Sequence, residues 1–336
     1  MATSTNCATS RSPKTELPAP PPYYPSCMRL EFVVVAYNSS GELTGCLDSI
    51  QVDAPPGSKV VVVDNASPDD SATIAGSHPL QPRLAASGKN LGFGGGCNLG
   101  ARGSDAEAVF FLNPDARLKP GATALLVTAL EADASLGVVA PRVIDPTGES
   151  RAASAGAEPS LRSSMGHFLA LGRIPRMRRL LRPVYLADGR VRTRPDWVSG
   201  AAMLVRKSAY DEIGGFDERI FMYMEDVDLC RRLREKGWAI GYEPDAVVEH
   251  VMGHSQSTDQ PIRWYRAYHA YIAAHRGPLH ARAASLTAAV GLGLRAVAYR
   301  RTRPVNSARM ARSARAALRL ALFRPTDSSA DGSALR

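Results

Sequence analysis

LEFVVVAYNSSGELTGCLDSIQVDAPPGSKVVVVDNAS, residues 30–67, decides the fold. Phe32–Ala36 and Val60–Val63 are continuous apolar runs rather than alternating ones, the pattern of parallel strands covered on both faces. Between them Gly41–Gln51 sets Leu43, Cys46, Leu47 and Ile50 at helical spacing, which completes a βαβ unit. Moving outward, the pattern predicts a helix over Asp69–Ser77, a short extended run at Arg83–Ala85, a glycine-rich loop at Gly92–Gly96 and a buried strand at Ala108–Leu112. The expected class is α/β: a layered α/β/α core on a mostly parallel sheet, with ligands bound where loops converge at the strands' C-terminal ends.

Beyond Pro120 the pattern predicts a helix near Thr123–Ala132 and a strand near Val138–Val143. Residues 153–194 are punctuated by Arg, Gly and Pro and read as a mobile insertion, arginine-rich over about 160–194. A strand over Trp197–Val205, a short helix over Lys207–Ile213, a longer helix over Asp226–Lys236 and two late strands, Ala239–Tyr242 and Ala246–His250, follow. After Gln260 the chain reads as helical and basic.

The chain has 336 residues, 45% of them hydrophobic and 22% charged, which suits a sizeable buried core and excludes a wholly disordered or fibrous protein. Its net charge of +9 is local in origin. Thirteen arginines and no acid lie between Arg263 and Arg324, and nine arginines against Asp188 alone lie between Arg162 and Arg194; the remainder is acidic. Five cysteines, with no C-x-x-C pair, argue against a disulfide framework or a cysteine zinc site. Residues 1–28 lack the apolar core of a signal peptide and carry five prolines between Pro18 and Pro25, so they read as a disordered leader, with Met28 a second candidate start. The longest uncharged apolar run, Ala283–Leu294, is about half the roughly 20 residues a transmembrane helix needs.

Polar residues that could carry chemistry fall at predicted strand ends. Tyr37-Asn38 and Asp64-Asn65 end adjacent strands, where a ring and an acceptor carboxylate would suit a pyrimidine base; Asp-Asn is also ordinary turn chemistry. Asn90 to Asn98, with Gly92 and Phe93 between, matches neither G-x-G-x-x-G nor a P-loop, yet bare glycines before a helix can bring amides to a diphosphate or serve loop geometry alone. Asn113-Pro114-Asp115 closes a strand, where Asp115 is either a turn residue or an oxygen ligand for Mg²⁺ or Mn²⁺. Glu225-Asp226 opens a helix; such acids cap helices, but the apolar lead-in Met222-Tyr223-Met224 points to a part-buried general base. His250, with His254 and Ser255 close behind, offers a metal or phosphate contact.

In this order VVVAYNSS (33–40), VVVVDNAS (60–67), NLGFGGGCNLG (90–100), FLNPDA (111–116), SGAAMLVRK (199–207), GGFDERIFMYMEDVDLCRR (214–232) and HVMGHS (250–255) resemble glycosyltransferase family 2, the inverting GT-A enzymes, and its bacterial rhamnosyltransferase-like branch. The resemblance implies a Rossmann-like GT-A domain over 29–259, a membrane-associating helical region over 260–325 and a disordered tail over 326–336. Tyr37, Asn38, Asp64, Asn65, Asn90, Gly92, Phe93, Asn98 and Asn113 would bind the nucleotide sugar. Asp115 and His250 would hold a divalent cation, Asp226 with Glu225 would be catalytic, and Gly200-Ala201 would line the acceptor pocket. Asn113 stands where the family's D-x-D motif has its first acid, one charge fewer at the metal.

The implied activity is transfer of L-rhamnose from dTDP-L-rhamnose to a polyprenyl-diphosphate-linked saccharide in cell-envelope synthesis, on the cytoplasmic face of the plasma membrane. Arg309, Arg312, Arg315 and Arg319 share one face of the predicted last helix, opposite Met310, Ala314, Ala317, Leu318 and Ala321, as in an interfacial helix on anionic lipid. A same-fold transferase using UDP-galactofuranose or a UDP-hexose is the alternative. A sugar nucleotidyltransferase would need basic residues near Ala36–Ser40, and none is there; a nucleic-acid binder would interleave aromatics with its arginines, and none lies between Arg301 and Arg319.

Overall fold

The computed structural model describes residues 28–148, 154–177, 180–185, 192–251 and 260–323, so the proline-rich leader, His254 and the last residues of the tail lie outside the described residues. In chain order the elements are β1 (Leu30–Ala36), α1 (Leu43–Asp53), β2 (Lys59–Asp64), α2 (Ser71–Ser77), β3 (Arg83–Ala86), α3 (Gly92–Ala101), β4 (Ala108–Leu112), β5 (Ala116–Leu118), α4 (Ala122–Ala132) and β6 (Leu136–Ile144). Then come β7 (Ala155–Gly156), α5 (Leu161–Phe168), β8 (Trp197–Val198), β9 (Ala202–Arg206), α6 (Lys207–Glu212), α7 (Glu225–Glu235), β10 (Ala239–His250), α8 (Gln260–Arg276), α9 (Pro278–Ala298) and α10 (Pro304–Leu322).

Eight strands form one sheet in the order β3-β2-β1-β4-β9-β6-β10-β5. β1 lies parallel between β2 and β4, and β10 lies parallel to β6; β9 and the edge strand β5 run the other way. Alternate residues of the apolar runs feed opposite layers. Phe32, Val34, Val60 and Val62 join the helices α1 and α4 through Leu47 and Leu126, whereas Val33, Val35, Val61 and Val63 join α3, α7 and the C-terminal helices through Cys97, Leu229 and Tyr268. Continuous hydrophobicity is therefore required, since neither face of the central strands meets water.

The structure departs from the expected elements in four places. The predicted glycine loop is the first turn and body of α3. The single strand over Trp197–Val205 is two: β8 pairs with β7 in a separate small sheet, and the turn through Gly200 delivers β9 to the main one. The two late strands are one, β10, with a register shift between Glu243 and Val247 where Arg142 Nε donates to the Pro244 carbonyl at 2.9 Å. The described part of 153–194 is built rather than loose: α5 carries a capping box on Ser160 and Ser163, and Ser164 bonds the Tyr268 hydroxyl at 2.6 Å.

The three C-terminal helices close one face of the core. Tyr268, Ile272, Ala281, Ala284 and Ala288 are buried, and Trp264 stacks on Tyr268 with ring centroids 4.9 Å apart. Met310, Ala314 and Ala317 of α10 turn inward onto this cluster, so the face expected to meet lipid is spent on packing. The exposed apolar stripe lies on α9 instead, at Leu279, Leu286, Val290, Leu294 and Val297. Among the described residues no helix is long and apolar enough to cross a membrane.

Candidate active site

Parallel pairing brings the C-terminal ends of β1, β2 and β4 to one rim. Asp64 stands in register with Ala36, and the Asn65 N–H donates to the Ala36 carbonyl at 2.8 Å. Tyr37 is half exposed at this rim, and Asn38 takes a left-handed φ of 51° beside it. Asp64 keeps part of its surface open while Oδ1 accepts the Ser67 N–H at 3.0 Å. Asp69, which sequence reasoning missed, fixes the same turn by accepting the Ser40 N–H at 2.8 Å and the Ser71 hydroxyl at 2.6 Å. Burial lifts the Asp69 pKa, but these hydrogen bonds to its charged form outweigh it and hold the value at about 2.

Two asparagines grouped with the donor ligands are committed to the protein. Asn65 is buried; Nδ2 donates to Asn90 Oδ1 and to the Gly92 carbonyl, each at 3.1 Å, and Oδ1 accepts the Leu91 N–H at 2.9 Å. Asn98 Oδ1 accepts the Tyr210 hydroxyl at 2.6 Å and the Phe216 N–H at 2.9 Å, while Nδ2 donates to the Phe216 carbonyl at 3.0 Å. Asn65 thus shapes the 90–92 turn and Asn98 fastens the 216 loop. The Gly92 N–H is likewise taken, by Asn90 Oδ1 at 2.9 Å. Gly92 sits at φ +75° with its α-carbon against the Phe221 carbonyl, a place where any side chain would collide.

Across the rim, Asn113 follows β4 and its N–H donates to the Ala201 carbonyl at 2.9 Å. The neighbouring Gly200 N–H donates to Asp226 Oδ2 at 3.0 Å. One short turn therefore joins the Asn113-Pro114-Asp115 corner to the carboxylate that opens α7. Phe93 packs under the same turn: a β-carbon on Gly200 would stand 2.7 Å from the Phe93 ring and 3.6 Å from Asp226 Cβ. Because Ala116 pairs with His250 at the end of β10, Asp115 Oδ1 comes within 2.9 Å of His250 Nε2, and Asn113 Nδ2 within 3.4 Å of the same nitrogen.

Among the described residues no set of three His, Cys, Asp or Glu side chains could hold a metal alone. Asp115 and His250 supply one carboxylate oxygen and one imidazole nitrogen side by side, both part-buried, where β10 meets the edge strand β5. That fits Mg²⁺ or Mn²⁺, which bind through few protein ligands when phosphate oxygens and water complete the shell.

The carboxylates of α7 are electrostatically unusual. Burial raises the pKa of Asp226 against the opposing Gly200 and Val227 N–H bonds. Burial, then the charge of Asp226, raises Glu225 well above the ordinary value, and Glu225 Oε2 has no hydrogen-bond partner among the described residues. Tyr223 and Met224, just before them, hold left-handed φ of 65° and 71°, a conformation side chains adopt only under constraint. Tyr185, from the arginine-rich insertion, also feels Asp226: burial, then Tyr265, Tyr268 and Asp226, push its phenol up. No sequence motif announced Tyr185, because it reaches the site only through folding of that insertion.

Residues 31–213 match the family description Glycosyl transferase family 2, and residues 181–319 match Glycosyl transferase family group 2. The chain is similar to N-acetylglucosaminyl-diphospho-decaprenol L-rhamnosyltransferase of Mycobacterium tuberculosis, 35% identical over 71% of this chain and 81% of the relative. It is 28% identical to the low-salt glycan biosynthesis hexosyltransferase Agl10 of Haloferax volcanii over 72% of each. Among solved structures it is similar to the mannosyltransferase PcManGT of Pyrobaculum calidifontis, in complex with GDP-Man and Mn²⁺, at TM-score 0.57 and 19% identity over 93% of this chain and 91% of that one. That likeness shows the fold, GT-A.

Proposed function

As the chain belongs to glycosyl transferase family 2, we propose that it is an inverting transferase moving L-rhamnose from dTDP-L-rhamnose to a polyprenyl-diphosphate-linked saccharide such as an N-acetylglucosaminyl diphospho-lipid. The transferred sugar and the acceptor rest on the name of the mycobacterial relative, and the dTDP carrier on the resemblance of the motifs. The observation that carries the mechanism is the turn Gly200-Ala201, which bonds Asp226 on one side and Asn113 on the other. It draws a proton acceptor and a phosphate-binding corner to one cleft.

Tyr37 stacks on the thymine ring, Asp64 accepts its N3–H, and Asn38 and the Asn90 turn follow the sugar. Asp115 and His250 would hold a divalent cation, which when bound supplies positive charge to the leaving diphosphate. Asp226 takes the proton of the attacking hydroxyl as its oxygen bonds to the anomeric carbon and the bond to the diphosphate oxygen breaks, with inversion. A raised pKa makes Asp226 a stronger base than a solvated aspartate, and the Gly200 N–H aims its carboxylate. Beside it, burial and then the charge of Asp226 raise the pKa of Glu225 well above the ordinary carboxylate value. We place the enzyme on the cytoplasmic face of an anionic membrane through the exposed stripe of α9 and the exposed arginines of α10.

Asp226→Asn is expected to cut turnover by ~10²–10⁴-fold with dTDP-sugar affinity kept, and Asp64→Ala to weaken the donor; undiminished turnover in Asp226→Asn removes this mechanism. Thermal-shift screening of dTDP- and UDP-sugars with and without Mn²⁺ identifies the donor.

A further inference from the structure

Between α5, α8, α9 and α10 lies a cavity of about 290 Å³, lined among others by Tyr185, Tyr223, Trp264, Tyr265, Arg295 and Arg309. It is near the lower end of small-ligand pockets, about 300–1,000 Å³. Its aromatic walls are held by one another: Trp264 stacks on Tyr268, and Tyr185 meets Trp197 edge-on at 5.8 Å and His167 at 5.1 Å. Arg295 donates to the His167 carbonyl at 2.7 Å, which fixes its guanidinium and leaves further N–H groups to spend. Neither arginine forms an ion pair with a carboxylate among the described residues, although both act electrostatically on the Tyr265 phenol. His167, beside them, is held neutral: burial, then Arg295 and Arg173, depress its pKa to about 4. Two cations and, among the described residues that line it, no acid suit an anionic ligand with an apolar ring face.

The position of the cavity says which ligand. Tyr223 lines it and stands three residues before Asp226, on the strained turn that leads into α7. The nucleotide reading lies elsewhere, at the ends of β1 and β2. We infer that this cavity is the acceptor subsite for a sugar diphosphate, with the sugar stacked on Tyr185 and Trp264 and the diphosphate clamped by Arg295 and Arg309. The inference rests on the reading of Asp226 as the base, and it gives the folded insertion and the C-terminal helices a share in substrate recognition. Arginine forks match phosphate oxygens in pairs, and indole and phenol rings offer the flat apolar contact that one face of a pyranose needs.

The test is calorimetric binding of a short-chain isoprenyl-diphosphate N-acetylglucosamine, in parallel with octyl N-acetylglucosaminide, which lacks phosphate. Arg309 is exposed, so its replacement leaves the fold intact. Arg309→Gln is expected to weaken the diphosphate probe about tenfold or more, the loss of one charge-assisted contact. It should leave the octyl glycoside and dTDP affinities unchanged, with Arg309→Lys recovering part of the loss. Trp264→Ala should weaken both saccharides. The inference is overturned if wild-type protein does not bind the diphosphate probe, if Arg309→Gln binds it as tightly as wild type, or if Arg309→Gln weakens both saccharides equally. Failure of the base reading looks different: Asp226→Asn would still transfer sugar while the probe remained dependent on Arg309.

Discussion

An acid in the first turn of a helix normally gains from the helix dipole, so Glu225 and Asp226 should ionise readily. Burial outweighs the dipole here and raises both. The consequence for Glu225 has a definite sign. The unfolded chain gives up this proton near the ordinary value of 4.5, while the folded protein keeps it to higher pH. Over that window the native state binds more protons, and its stability falls as pH rises through the folded pKa. Glu225→Gln removes the titration, so melting temperatures against pH should show wild type losing stability relative to the variant above about pH 4.5, with little difference below. The polar pairs proposed at 64 and 115 stand out in the sequence because they follow apolar strand runs, and the pair at 226 because an apolar lead-in precedes the helix it opens. The letter alone does not separate the amides of Asn65 and Asn98, which bond the 90–92 turn and the 216 loop, from an amide turned to a ligand.

Among the elements, α3 explains why a glycine run read as a loop. Glycine is a poor helix former, so propensity alone gives the wrong answer. The deciding fact is how closely this helix approaches the sheet: a β-carbon on Gly96 would meet Val35 Cγ1 at 2.5 Å, and one on Gly100 would fall against Val33 and within 3.0 Å of Val63. Gly100→Ala should therefore destabilise by ~1–3 kcal/mol through overpacking. Gly76→Ala in α2, where nothing lies within 4 Å, should be neutral or stabilise by up to about 1 kcal/mol; urea midpoints of the two variants make the comparison. The central strands were legible because burial on both faces leaves no polar position. The join in β10 was not, since Pro244-Asp245 looks like a break and is a bulge.

For the whole molecule, the basic tail is both a structural layer and, on our reading, a membrane face. Composition exposed its charge but not which helix side is turned inward. Because Ala288 of α9 and Ala317 of α10 belong to the core, deleting α9 and α10 would test folding rather than lipid binding. Leu286→Glu with Leu294→Glu on the exposed stripe is the cleaner change. These substitutions should reduce co-sedimentation with anionic liposomes, each lost insertion costing ~1.5–3 kcal/mol of apolar burial, while dTDP affinity stays the same; unchanged co-sedimentation would remove the membrane assignment.

The reversed direction of β9 has a consequence for how such an enzyme diversifies. β6 ends, and β9 begins, at the same end of their antiparallel pair, so the chain leaves the main sheet after Ile144 and rejoins it at Ala202 within one neighbourhood. On the proposed reading the stretch up to Val198 is a cassette: its sequence can be rewritten, and with it the choice of saccharide to be elongated, while the Gly200-Ala201 turn and the pairings of β1 to β4 stay as they are.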